Sequence, residues 1–75
     1  MDTRSLLTRI ALKQHELRFR TPEGDFWLHE SEEEGGWVFE VANAGVICIA
    51  LDLEEAMDCV ESMADLEEIL QACSH

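Results

Sequence analysis

The chain has 75 residues, 47% of them apolar, and seventeen acids against five bases give it a formal net charge of −12. That length holds one domain, residues 1–75, which buries only ~60% of its unfolded surface and leaves little room for an enclosed active site. The apolar share argues against intrinsic disorder, and the charge against direct contact with nucleic-acid phosphates.

Taken in chain order, residues 3–15 read as a short amphipathic helix. Leu6, Leu7, Ile10 and Ala11 recur at helical spacing, with Asp2 or Thr3 as N-cap. Leu17 to Arg20 alternates apolar and basic residues, as a half-buried strand does. Thr21-Pro-Glu-Gly-Asp25 is a turn. Asp25 to Ser31 alternates again, with Phe26 and Leu28 on one face and Trp27 and His29 on the other. Glu32 to Gly36 forms a charged hairpin loop, and Trp37 to Ala42 a third strand with Trp37, Phe39 and Val41 sharing a face. After the turn Asn43-Ala-Gly45, the continuous apolar run Val46 to Leu51 is expected to be the most buried strand.

Asp52 then caps a helix, and Glu55 three residues later completes a capping box. Asp65-Leu-Glu-Glu68 repeats Asp52-Leu-Glu-Glu55 and marks a second cap, so residues 53–73 form one helix or two. The apolar stripe Leu53, Ala56, Met57, Val60, Met63, Ala64 drifts afterwards to Leu66, Leu70 and Cys73, which favours a kink near Ala64. The order α-β-β-β-β-α is that of an α+β domain. It predicts an N-terminal helix, an antiparallel three- to four-stranded sheet and an acidic C-terminal helix that is whole or split in two.

Charge is unevenly distributed. The first twenty residues hold all five bases and two acids, for a net +3, whereas residues 21–75 carry fifteen acids and no Lys or Arg. Solubility or adaptation to high salt is the simplest cause of such a bias. Glu54, Asp58, Glu61, Asp65 and Glu68 are spaced by 4, 3, 4 and 3, which aligns them on one helix face. Like charges at these spacings cost ~0.2–0.5 kcal/mol per pair. With Asp52, Glu55 and Glu67 beside it, the stripe makes eight acids over seventeen residues, a charge line of about the density of one nucleic-acid strand. Glu30, Glu32, Glu33 and Glu34 form a second anionic cluster at the hairpin. Trp27, on the open face of the sheet beside His29, is a candidate aromatic anchor for a partner.

Three cysteines, Cys48, Cys59 and Cys73, contain no CxxC pair, and free thiols suit a reducing cytoplasm. No run is long enough for a signal peptide or a membrane span. The hairpin acids with His29 follow no EF-hand spacing, so no metal and no cofactor are expected. His15, His29 and His75 share no motif. No serine lies in GxSxG, no glycine loop cradles phosphate, and no two carboxylates stand apart as an acid–base pair. These absences argue against an enzyme. The missing Asp-Ser-Leu attachment site likewise argues against an acyl carrier protein.

Size, acidity, element order and the carboxylate-lined final helix resemble the small acidic inhibitors encoded by phages and mobile elements, the DNA-mimic and anti-CRISPR proteins. The resemblance lies in character and not in a diagnostic motif. It implies a non-enzymatic inhibitor that occupies the basic nucleic-acid channel of a host ribonucleoprotein effector of CRISPR-Cas type. Such a protein would work in the host cytoplasm, as monomer or homodimer, without touching nucleic acid or membrane itself. The segment from Trp37 through Leu53-Glu-Glu-Ala56 looks loosely like antitoxins of the HicB type, although that family's glycine-proline signature is missing. The alternative is therefore an antitoxin-like or assembly-adaptor protein that binds through its apolar sheet face, with the acids serving solubility.

Overall fold

Asp2 starts the first helix: its carboxylate accepts the Ser5 N–H at 2.8 Å, opening α1 (Thr3–Gln14). The computed structural model describes residues 2–22 and 24–73, so Glu23 of the first turn and the terminal His75 lie outside the described residues. His15 ends α1 in the left-handed region (φ 62°) and turns the chain into β1 (Glu16–Thr21). β2 (Gly24–Ser31), β3 (Gly36–Val41) and β4 (Gly45–Ala50) follow, each antiparallel to the last, giving the sheet order β1-β2-β3-β4. The architecture is the expected α+β one, with four strands.

The C-terminal helical segment is split. α2 (Leu53–Met63) stops at Ala64, whose backbone is extended, and α3 (Leu66–Cys73) begins after Asp65. Asp65 accepts the Glu67 N–H at 2.8 Å, so the second cap read from the repeat is real. At the first cap, Asp52 accepts from the Glu55 N–H at 2.9 Å, while the Glu55 side chain reaches back to the Leu51 N–H at 3.3 Å. The return arm thus lies one residue earlier than in a standard capping box.

All three helices lie on one side of the sheet. α1 and α3 pack on β1, and α2 packs on β3 and β4. Between the layers, Phe19, Phe26 and Phe39 stack across three strands at 5.2 and 5.6 Å. Leu7, Leu17, Leu28, Met57, Val60 and Ile69 close around them. Burying side chains of this size, at roughly 1.5–3 kcal/mol each, is the main force holding the layers together. Met63, placed in the apolar stripe by spacing, is instead 45% exposed, because α2 ends there and turns away.

Two expectations are overturned. Val46 to Leu51 is not the most buried strand: β4 is a sheet edge, and Val46, Ile47, Ile49 and Leu51 are exposed. An apolar run fits a strand covered on both faces, but here helices cover only one. Nor are all the cysteines free. Cys48 and Cys59 form a disulfide (Cα–Cα 6.7 Å) that ties β4 to α2.

Candidate functional site

Three surfaces hold the residues singled out by sequence. The first is the acidic stripe. Glu54, Asp58 and Glu61 do share a face of α2, but that face turns toward α1. Arg4 contacts all three carboxylates, at 3.2, 2.8 and 2.7 Å, and also donates to the Glu54 carbonyl at 2.9 Å. The stripe therefore carries its own cation. The carboxylates hold the Arg4 guanidinium above its ordinary pKa, Asp58 contributing most through a direct hydrogen bond. Asp65 and Glu68 fall on the far side of the helix break, Asp65 as a cap, so the five acids do not form one straight line. Glu67, beside them, accepts a 3.4 Å hydrogen bond from Thr3.

The second surface is the β2–β3 hairpin. Glu32, Glu33 and Glu34 are exposed and make no ion pair among the described residues. Glu30 is set apart from them by its contact with His15 Nδ1 at 2.9 Å. His29 points to the other sheet face and does not join the cluster. Among the described residues, no group of three or more His, Cys, Asp or Glu side chains is placed to hold a metal ion.

The third surface is the sheet face that no helix covers. Strand alternation puts Glu16, Arg18 and Arg20 of β1 there, then Asp25, Trp27 and His29 of β2, then Val38 and Glu40 of β3. Trp27 lies on this face as its alternation predicts. It is half-buried: its indole N–H donates to Glu16 at 2.8 Å, the Arg18 guanidinium stands 4.6 Å over its ring, and the His29 ring stacks at 3.8 Å. The Trp27 hydrogen bond, followed by that from Arg18, holds Glu16 below its ordinary carboxylate pKa. His29 Nε2 lies 2.5 Å from Glu40, and Arg20 pairs with Asp25 at 2.6 Å. Ion pairs thus compensate the charges of this face locally, unlike those of the hairpin.

Toward β4 the same face becomes apolar through a shift in register. Glu40 pairs with Val46 and Phe39 with Cys48, so Ile47 is an extra residue, a β-bulge. Simple alternation would send Val46 inward with Cys48 and Ala50. The extra residue reverses that parity and sets Val46 opposite outward-facing Glu40. Val46 and Ile49 are each 54% exposed, flanking Val38, which is 5% exposed although it stands outside the main core cluster.

Sequence reasoning allowed for an apolar sheet face but did not place Val46 on it, because nothing in the run Val46 to Leu51 signals the bulge. The available hint was indirect: a cysteine at Cys48 and another at Cys59 on the helix that follows fix which side of β4 faces α2. Among the described residues, no helix is long and apolar enough to cross a membrane. Comparison of the chain with protein families, with curated proteins and with solved structures finds no match in any of the three.

Proposed function

We propose that the chain is a non-enzymatic protein-interaction domain that meets its partner through the uncovered sheet face. The observation that carries this reading is the exposure of Val46 and Ile49 around Val38. A solvated antiparallel sheet normally sets polar residues on its open side. Three aliphatic side chains gathered there by a bulge suit a contact surface better than water. Trp27 adds an aromatic beside them, and the neighbouring ion pairs form a polar rim of the kind that surrounds interface centres.

A second reading, the acidic inhibitor of a basic nucleic-acid-binding effector, draws its support from the hairpin. Glu32, Glu33 and Glu34 remain open to a basic partner. In this reading the hairpin matters more than Glu54, Asp58 and Glu61, which Arg4 already engages. The Cys48–Cys59 bond removes two of the three thiols that supported a cytoplasmic location, and neither reading depends on the compartment.

The test compares partner capture from the native host by the wild-type chain, by a Val46→Lys/Ile49→Lys variant, and by a Glu32→Gln/Glu33→Gln/Glu34→Gln variant. Each is run at low and at high salt. Loss of capture with the lysine variant, insensitive to salt, is expected. Loss only with the glutamine variant, steep in salt because screening acts over ~8 Å at physiological strength, would replace the sheet-face reading by the inhibitor.

A further inference from the structure

β4 is paired on one side only, so alternate residues direct backbone N–H and C=O groups away from β3. The bulge at Ile47 divides this edge and leaves the stretch from Cys48 to Ala50 as its regular part. Leu51, 82% exposed, lies just past the strand end, its N–H held by Glu55 at 3.3 Å, beside a cleft of about 330 Å³. The cleft lies under the β2–β3 hairpin and is lined by Glu30, Glu32, Gly35, Gly36 and Trp37 together with Leu51. Its lining combines Trp37 and Leu51 with the carboxylates of Glu30 and Glu32, which suits a side chain with an apolar stem and a cationic head.

Resting on the sheet-face reading, we infer that the Cys48–Ala50 edge receives an extended segment of another protein. That segment places a Lys or Arg in the cleft. An exposed strand edge matches extended backbone and selects apolar side chains, here against Ile49 on the strand and Leu51 just past its end. The charge of the site selects the end of the segment: Glu30 and Glu32 at the cleft, Glu33 and Glu34 above it, Asp52 and Glu55 just past Leu51. The same charge disfavours a second copy of this chain, which would bring its own −12 and its own hairpin acids. The bulge acts in the same direction, since it twists the edge out of register with a copy of itself.

A short synthetic peptide alternating valine and threonine and ending in two arginines is the probe, with the same peptide ending in two glutamates as control. Amide hydrogen exchange of the full chain is followed by NMR. The arginine peptide should slow exchange in β4, the glutamate peptide should not, and Glu32→Gln/Glu33→Gln/Glu34→Gln should weaken the arginine peptide about tenfold. Absence of β4 protection, or equal binding of both peptides, overturns the inference. Protection in the chain alone that rises with concentration, together with a dimer mass in sedimentation, overturns it in favour of a second copy. If the lysine variant of the sheet face loses partner capture while no peptide protects β4, the sheet-face reading stands and only strand pairing falls. If the arginine peptide protects β4 while that variant still captures its partner, the sheet-face reading falls and the peptide site remains.

Discussion

The two edges of the sheet differ sharply. β1 shows Glu16, Arg18 and Arg20 on the open face, each in an ion pair or hydrogen bond, and alternates apolar residues inward without interruption. β4 shows Val46, Ile47 and Ile49, with no charge of its own. Charged residues are the usual device for keeping an edge from pairing, and β1 has them. The same molecule thus protects one edge and leaves the other apolar, and the proposed sheet-face contact rests on that difference.

The strongest way to break the comparison is to detach β4. Gly36 approaches β4 so closely that an added Cβ would fall 2.1 Å from the Ala50 carbonyl oxygen, and backbone cannot step aside as a side chain does. Gly36→Val should force β3 and β4 apart and cost ~3 kcal/mol or more, within the range of severe single substitutions. For a domain this small that is much of its stability, so urea denaturation should show a largely unfolded chain at 25 °C.

A milder break loosens the tether. Cys48→Ser removes the bond to α2 and should cost about 2–4 kcal/mol under oxidising conditions. Adding a reductant to the wild-type chain should produce the same loss, and should leave the variant unchanged. The two denaturation curves, compared with and without dithiothreitol, check this directly.

Weaker still is the cation that links α1 to α2, the helix behind β4. Arg4→Ala leaves Glu54, Asp58 and Glu61 facing one another at helical spacing without compensation. The carboxylates are more than half exposed, so the loss should be about 1 kcal/mol at low salt, shrinking as salt is added. Thermal melts at two ionic strengths give the comparison.

Most of this architecture is legible in the residues. The caps at Asp52 and Asp65, the alternation of β1 to β3 and the break at Ala64 follow from local chemistry, and local chemistry is what sequence displays. What stays hidden depends on partners distant in sequence. The stripe on α2 reads as a free anionic face until Arg4, fifty residues earlier, is folded against it. The run Val46 to Leu51 reads as core because hydrophobicity reports a preference for burial and not which neighbours arrive. Only the register, with one extra residue at Ile47, turns Val46 outward.

The smallest effect belongs to the protected edge and sharpens the contrast from that side. Hydrogen bonds from Trp27 and then Arg18 favour ionised Glu16, so its folded-state pKa lies below its unfolded one. A depressed carboxylate contributes stability above the unfolded value, about pH 4.3, and loses it as pH falls through the folded value. Between those two points the Glu16 carboxylate should remain ionised. A carboxyl-detected NMR titration of Glu16 checks this. On the same scan the Trp27 indole N–H should shift only when Glu16 itself titrates, because that carboxylate is its acceptor. β4, with no titrating side chain of its own, should show no matching change in Val46 or Ile49. A simultaneous shift at both edges would mean that acid loosens the whole sheet, and that β1 is held by general packing more than by its ion pairs.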